Sequence, residues 1–344
     1  MIKGRSKVKA IICEQIDKLE LVEHNEPSFG RGEAIVRIRR IGICGTDLHA
    51  YKGNQPFFTY PRVLGHELSG IVEQVEDSSG TVKVGDQVSI IPYMHCGHCV
   101  ACRRGKTNCC TDMKVLGVHI DGGMRERIAV PVSHLLVVNE LSLDEAALLE
   151  PLSIGAHAVR RSGLGEGDTA LVIGSGPIGL GVMAFAKHRG AKVIAMDIQE
   201  ERLAFCRQWA KVDETVNALE NAKARVAELT DGDYPTVVFD ATGNARSMQS
   251  SFDFVSHGGT LVYVGLVKAD LTFNDPDFHK REITLMGSRN ATLEDFAAVK
   301  AAVQSGSIDA DSYITHRIPF AELPARFDDL LKPESKVIKA MTEL

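Results

Sequence analysis

Gly174-Ser175-Gly176-Pro177-Ile178-Gly179 follows the apolar run Ala170–Ile173 directly and opens into the helical pattern Ile178–Arg189. Strand, glycine-rich turn and helix in that order leave few folds open. The backbone N–H groups of such a turn can approach a pyrophosphate at the positive end of the helix. The alternation continues with a strand at Lys192–Met196, a helix at Glu200–Lys211, and short buried strands at Val237–Asp240, Leu261–Gly265 and Ile283–Met286. From about 155 to 290 this pattern predicts a parallel sheet with helices on both faces, a doubly wound α/β unit of the Rossmann type. Asp197 closes the second strand, where an acid accepts from the adenosine ribose 2′-OH and repels a 2′-phosphate. The expected cofactor is therefore NAD rather than NADP, with Arg202 five residues on as the group that could pair with the extra phosphate.

The first part of the chain has another texture. Short β-like runs, Ala34–Ile38, Gly70–Val75, Val88–Ile91 and Leu135–Val138, are punctuated by Gly, Pro and Asp, as in Val84-Gly85-Asp86. They predict a partly open all-β domain. An amphipathic helix, Leu293–Gln304, begins the tail. At 344 residues there is chain enough for two domains with separate cores. A net charge of -6 argues against nucleic acid or an anionic membrane as partner. The N-terminal stretch is basic (Lys3, Arg5, Lys7, Lys9) without the apolar run of a signal peptide, and no stretch of eighteen apolar residues occurs. A cytoplasmic location is the expectation.

Five of the eight cysteines, Cys96, Cys99, Cys102, Cys109 and Cys110, lie within fifteen residues. A disulfide scaffold would be short and would spread its cysteines; crowding in a long chain reads as metal ligation. Cys96, Cys99, Cys102 and Cys110 have the spacing of a four-thiolate zinc site, closed and therefore structural, with Cys109 as the spare. A redox-active Cys-x-x-Cys would not need the third and fourth. Cys13 and Cys206 stand alone and read as structural.

A second constellation is dispersed: Cys44-Gly45-Thr46-Asp47-Leu48-His49, then Gly65-His66-Glu67, then Glu150-Pro151. Each part is a weak signal. Together with the four-cysteine lobe and the dinucleotide turn, in this order, they resemble the zinc-dependent medium-chain dehydrogenase/reductase family along essentially the whole chain. Val84-Gly85-Asp86-Gln87-Val88 and Asp240-Ala241-Thr242-Gly243 match further landmarks. Glu76 departs from the pattern, which has a small residue there.

The resemblance implies a GroES-like catalytic domain formed by 1–154 and 293–344, with the Rossmann domain, 155–292, inserted and the site in the cleft. It implies Cys44, His66 and Glu67 as ligands of a catalytic zinc, the second of two zinc ions per chain. Charge counting then makes Glu150 a group that closes the resting site or holds its water and yields to substrate, because a second permanent carboxylate would weaken the metal as a Lewis acid. An acid followed by proline there is similar to the polyol branch. Thr46 and His49 match the family's proton relay through the nicotinamide ribose, and an imidazole, titrating near neutrality, suits the exit. Gly174, Gly176, Pro177, Ile178, Gly179, Thr242, Val264, Gly265 and Leu266 fall where the family contacts NAD.

Gly53–Phe58, Thr107–Cys110, Asp277–Lys280 and Gly287–Thr292 resemble sugar-acid-oxidising members of that branch. They imply a six-carbon polyhydroxy acid, L-galactonate, L-idonate or L-gulonate, oxidised at a secondary hydroxyl to the keto acid. A bound carboxylate needs a cation, preferably a forked one. Arg289 matches a substrate-contacting arginine of polyol dehydrogenases, and Lys52 is the second candidate. The branch suggests a homo-oligomer, a tetramer or dimer. Threonine dehydrogenase-like and sorbitol-type polyol activities are the alternatives, and an NAD-sensing pseudoenzyme is the alternative outside catalysis. A pseudoenzyme would have no reason to retain Cys44, His66, Glu67, Thr46 and His49 together.

Overall fold

The computed structural model describes residues 7–344 apart from Pro56 and Ser78. Lys3 and Arg5 of the basic N-terminal run, and Pro56 of the Gly53–Phe58 stretch, lie outside the described residues. The chain is α/β and forms two compact units, 1–150 with 310–344, and 151–309.

In the first unit a seven-stranded sheet runs Leu135–Val137, Gln87–Ile90, Glu67–Glu76, Glu33–Ile43, Ala340–Glu343, His316–Pro319, and Arg127–Pro131 also pairs with Glu33–Ile43. A smaller sheet joins Lys18–Asn25, Lys7–Gln15 and Arg62–Val63. The long strand Glu33–Ile43 shows how the core is made. Ala34, Val36 and Ile38 are buried on alternate positions, as a strand requires. A register shift between Ile38 and Arg40 then moves the buried face by one residue, so that Ile41 and Ile43 are buried as well. That shift sets the pairing Gly42↔Glu67. It therefore brings the residues after Ile43 beside those before Glu67.

In the second unit six parallel strands run in the order Glu214–Asn217, Lys192–Asp197, Thr169–Ile173, Val237–Asp240, Thr260–Tyr263, Thr284–Gly287. This is the doubly wound order, whose switch point lies between Thr169–Ile173 and Val237–Asp240. Leu171, Ile194, Val238 and Leu261 fill the core beneath the helices.

Several boundaries differ from expectation. The units divide after Glu150 and after Asp309, and the helix Leu293–Gln304 belongs to the second unit rather than the first. Its Asp295 is held there by His157 and Arg160, a tertiary attachment invisible in local pattern. The expected helix Glu200–Lys211 is α-helical only over Glu200–Phe205 and widens to a π turn at Cys206–Ala210, where Trp209 Nε1 reaches Asp309 O at 2.7 Å. The strand foreseen at Leu261–Gly265 stops at Tyr263, because the N–H groups of Val264 and Gly265 both turn to Asp240 O at 2.9 Å. The hairpin of Lys7–Gln15 with Lys18–Asn25 and the helix Leu143–Ser162, which contains Pro151, were not foreseen.

Candidate active site

Cys44 sits where the strand Glu33–Ile43 ends and the helix Gly45–Tyr51 begins. Asp47 in the first turn of that helix fixes both sides of the junction. Its Oδ2 accepts from Cys44 N–H at 2.9 Å and its Oδ1 from Gly65 N–H at 3.2 Å. His66 follows Gly65, and its buried Nδ1 lies 3.8 Å from Asp47 Oδ1, too far for a hydrogen bond and without another partner. One donor atom each from Cys44, His66 and Glu67 lie within 4.8 Å of one another. A thiol, an imidazole and a carboxylate gathered this closely, with an orphaned ring nitrogen behind them, fit a zinc ion with an open position.

Glu67 is not free of protein contacts. Lys339 Nζ donates to both its oxygens, at 2.6 and 2.7 Å, and to Ile43 O at 3.2 Å. Burial works against the Lys339 ammonium, but Glu67 and then Cys44 outweigh it and its pKa rises. A side chain on Gly42 could not coexist with this arrangement, since its Cβ would stand 2.0 Å from Glu67 Oε2. Lys339, Asp47 and Gly42 were missed by sequence reasoning. Asp47 stands inside the quoted Cys44–His49 motif but shows its role only through the Cys44 and Gly65 amides it holds, Gly42 only through its register with Glu67, and Lys339 lies near the other end of the chain.

Glu150 stands outside the group of three donors. It is buried on the helix Leu143–Ser162 and accepts from Tyr93 O–H. Burial pushes its carboxyl up to about 7, with His66 drawing it back and Glu67 adding to the rise. Tyr93, from the small hairpin of Tyr93–Met94 with Lys114–Val115, is another residue that no motif announced. Thr46 and His49 share the helix Gly45–Tyr51, the first half-buried and the second exposed. Lys52, the second candidate for a carboxylate, is already committed: its Nζ lies 2.6 Å from Asp17 and 3.3 Å from Asp328.

The four-cysteine cluster forms as one group of Cys96, Cys99, Cys102 and Cys110, while Cys109 is exposed. Backbone N–H groups converge on the sulfurs: Cys99 on Cys96 at 3.3 Å, Cys96 on Cys110 at 3.3 Å and Asp112 on Cys110 at 3.4 Å. N–H donation from Cys102, then Thr111, pulls the Cys99 thiol down to about 5. Burial, and then Cys99, pushes the Cys102 thiol the other way, up to about 12, so without a metal the sulfurs hold their protons unequally.

In the second unit Gly176 caps the helix Pro177–His188, with Pro177 at its first position. A Cβ built on Gly176 meets nothing nearer than Arg202 Nη1 at 3.9 Å, which leaves room for a phosphate and places the guanidinium beside the turn. At Gly179 a Cβ would lie 1.8 Å from Gly174 O, so only glycine lets helix and strand close up. Asp197 Oδ2 accepts from Ser175 N–H at 2.7 Å and Oδ1 from Gln199 N–H at 3.0 Å. The acid thus holds the turn itself. Ile178 continues the helix, Thr242 Oγ1 donates to Asp240 at 2.6 Å, and Val264 and Gly265 lead to Leu266, a residue 72% exposed. These features fit a dinucleotide. Arg289 is exposed just beyond the strand Thr284–Gly287 of the same unit.

Comparison with known proteins agrees with this geometry. Residues 30–140 match the alcohol dehydrogenase GroES-like domain and residues 177–305 the zinc-binding dehydrogenase family. The L-galactonate-5-dehydrogenase of Escherichia coli K12 is 43% identical, the match covering 98% of this chain and 99% of that protein. The L-idonate 5-dehydrogenase of Vitis vinifera is 32% identical over 89% and 86% of the two chains. A structure from E. coli CFT073, described as a short chain alcohol dehydrogenase complexed with NADH, superposes with a TM-score of 0.92 at 29% identity, covering 98% of this chain and all of that one. The chain belongs to the zinc-dependent medium-chain dehydrogenase/reductase family and is an oxidoreductase of its alcohol and polyol dehydrogenase group.

Proposed function

We propose that the protein oxidises a secondary hydroxyl of a six-carbon sugar acid, of the L-galactonate, L-idonate or L-gulonate type, to the keto acid with NAD as hydride acceptor. The observation that carries this reading is the 43% identity to L-galactonate-5-dehydrogenase along nearly the whole chain. The retained donor set adds support. Cys44, His66 and Glu67 hold one zinc ion, and Cys96, Cys99, Cys102 and Cys110 hold a second. The first, when bound, polarises the substrate hydroxyl.

The chain's own groups do the rest. Asp47 orients Cys44 and the peptide before His66. Lys339 alters the charge count made from the sequence. With its ammonium included, one thiolate, the carboxylates of Glu67 and Glu150, and a dication sum to zero. Glu150 can therefore stay ionised beside the site without making it anionic, held in place by Tyr93. Thr46 and His49, three residues apart on one helix face, carry the released proton from the half-buried side outward. Gly174 to Gly179 cradle the pyrophosphate, Asp197 faces the ribose, and Thr242, Val264, Gly265 and Leu266 border the nicotinamide half. Arg289 contacts substrate.

No helix among the described residues is long and apolar enough to cross a membrane. A cytoplasmic location suits the eight unpaired cysteines. A homo-oligomer suits the open edge strand Thr284–Gly287, where Leu285 is exposed. The test is an NAD-reduction screen of the zinc-loaded protein over hexonates, polyols and hydroxy amino acids. A hexonate should give the highest kcat/KM; better turnover of sorbitol or threonine would defeat the substrate assignment.

A further inference from the structure

Lys339 is held with little freedom. It immediately precedes the strand Ala340–Glu343, which pairs antiparallel with Glu33–Ile43 so that Ala340 lies opposite Ile43. At the end of that ladder Lys339 stands level with Cys44. Its backbone is fixed from the other side: Thr315 N–H and His316 N–H donate to Lys339 O at 2.9 and 3.1 Å, and Lys339 N–H donates to Thr315 Oγ1 at 3.3 Å. An ammonium has three donors, and all three are used inside the protein. Two go to the oxygens of Glu67 and one to the carbonyl of Ile43, the residue before Cys44. One buried cation thus touches one member of the donor set and the peptide that carries another.

Glu67 belongs to the group of Cys44, His66 and Glu67 that would hold the catalytic zinc. Each carboxylate oxygen has two lone pairs, so one hydrogen bond from Lys339 to each leaves both able to bind a metal. The ammonium does not block the site; it shares the carboxylate. That sharing acts oppositely in the two states. Without zinc, Lys339 supplies the counter-charge that a buried carboxylate requires. With zinc, the same ammonium sits on a ligand of a dication, and like charges away from water repel strongly.

We propose that Lys339 is a positioning residue that takes the metal's electrostatic place at Glu67, keeping the empty site assembled and lowering its affinity for zinc. This rests on Cys44, His66 and Glu67 holding the zinc, as proposed above, and not on the choice of substrate. A clamp and a counter-ion differ in sign here. Removing a mere clamp would disorder Glu67 and weaken metal binding, whereas removing the counter-ion strengthens it.

The experiment is chelator competition for zinc on the full chain, comparing wild type, Lys339→Met, Lys339→Arg and Cys44→Ser, with thermal unfolding recorded with and without the metal. The ion held by wild type and absent from Cys44→Ser belongs to this site. Lys339→Met should hold that ion about ten times more tightly than wild type, or tighter still. At equal free zinc, its Tm should also rise further on metal addition, because tighter binding to the folded state adds more stability. Lys339→Arg, which keeps a cation against Glu67, should stay near wild type. An affinity in Lys339→Met equal to or below that of wild type would overturn the proposal, and so would an equal gain in Lys339→Arg. Should Lys339→Met fail to fold without zinc, Lys339→Gln, which keeps a donor but no charge, replaces it under the same criteria. A wild type that releases zinc as Cys44→Ser does would remove the metal site itself, a result distinct from a site that binds zinc and ignores Lys339.

Discussion

Lys339 Nζ bridges the two carboxylate oxygens of Glu67 at 2.6 and 2.7 Å, with both side chains 1% exposed. Removing one partner of such a pair strands the other charge in the interior. Lys339→Met should therefore lower the unfolding free energy of the zinc-free protein, where no ion shares the Glu67 charge, by about 3–5 kcal/mol. Adding Glu67→Gln should recover part of that loss, because it removes the stranded charge. Denaturant unfolding of the two single variants and the double variant measures the coupling. Additive losses would show that the two residues do not act as a pair.

Metal content separates the two clusters. Wild type should carry two zinc ions. Cys44→Ser should carry one with the fold retained. Cys99→Ser should also carry one but lose stability, since metal binding to the four-thiolate lobe is folding energy. Elemental analysis with thermal unfolding decides this, and a fully active wild type holding a single zinc would sink the assignment.

Asp197 is a ribose ligand by expectation and a brace of the turn by geometry, through Ser175 N–H. Asp197→Ser should shift preference toward NADP, with Arg202 pairing the added phosphate. It should also weaken NAD by about 1.5–3 kcal/mol as a charge-assisted hydrogen bond to the turn is lost. Dissociation constants for both dinucleotides test it. An unchanged ratio would mean that Asp197 does not face the ribose.

Arg289→Ala should raise KM for the hexonate by an amount on the order of 1.5–3 kcal/mol and leave a neutral polyol nearly untouched. Equal losses on both substrates would make Arg289 a residue of the fold or cofactor site.

Asp295 predicts an acid limb of stability. Burial alone would raise its carboxyl, but hydrogen bonds from His157 at 2.9 Å and Arg160 at 2.7 Å hold it well below the usual carboxylate range. A depressed folded-state pKa contributes stability that is complete above the unfolded value near ~3.9 and lost as pH falls through the lower, folded value. Asp295→Asn should cost about 1.5–3 kcal/mol at pH 7. The gap to wild type should stay level from pH 7 to 5 and narrow below about pH 4. A gap that stays constant down to pH 3 would exclude Asp295 as the source.

The glycine-rich turn, the second-unit strands and the cysteine spacing were legible in the sequence because each is a local rule. Glycines sit where a helix must meet a strand, apolar runs have strand length, and thiols are spaced for one metal. Cys44, His66 and Glu67 could be named only through the family resemblance to which their short motifs contribute, since no local rule says that they meet. Tertiary structure decided the rest. The register shift in Glu33–Ile43 sets Gly42 against Glu67 and so brings Cys44 beside His66. Lys339 reaches Glu67 from a strand formed near the end of the chain, and Tyr93 reaches Glu150 from a separate hairpin. The tail helix joins the second unit through Asp295 rather than the first. Contacts of this kind depend on which distant strands pair and in what register, and the burial that makes Lys339 and Asp295 consequential exists only after those pairings have formed.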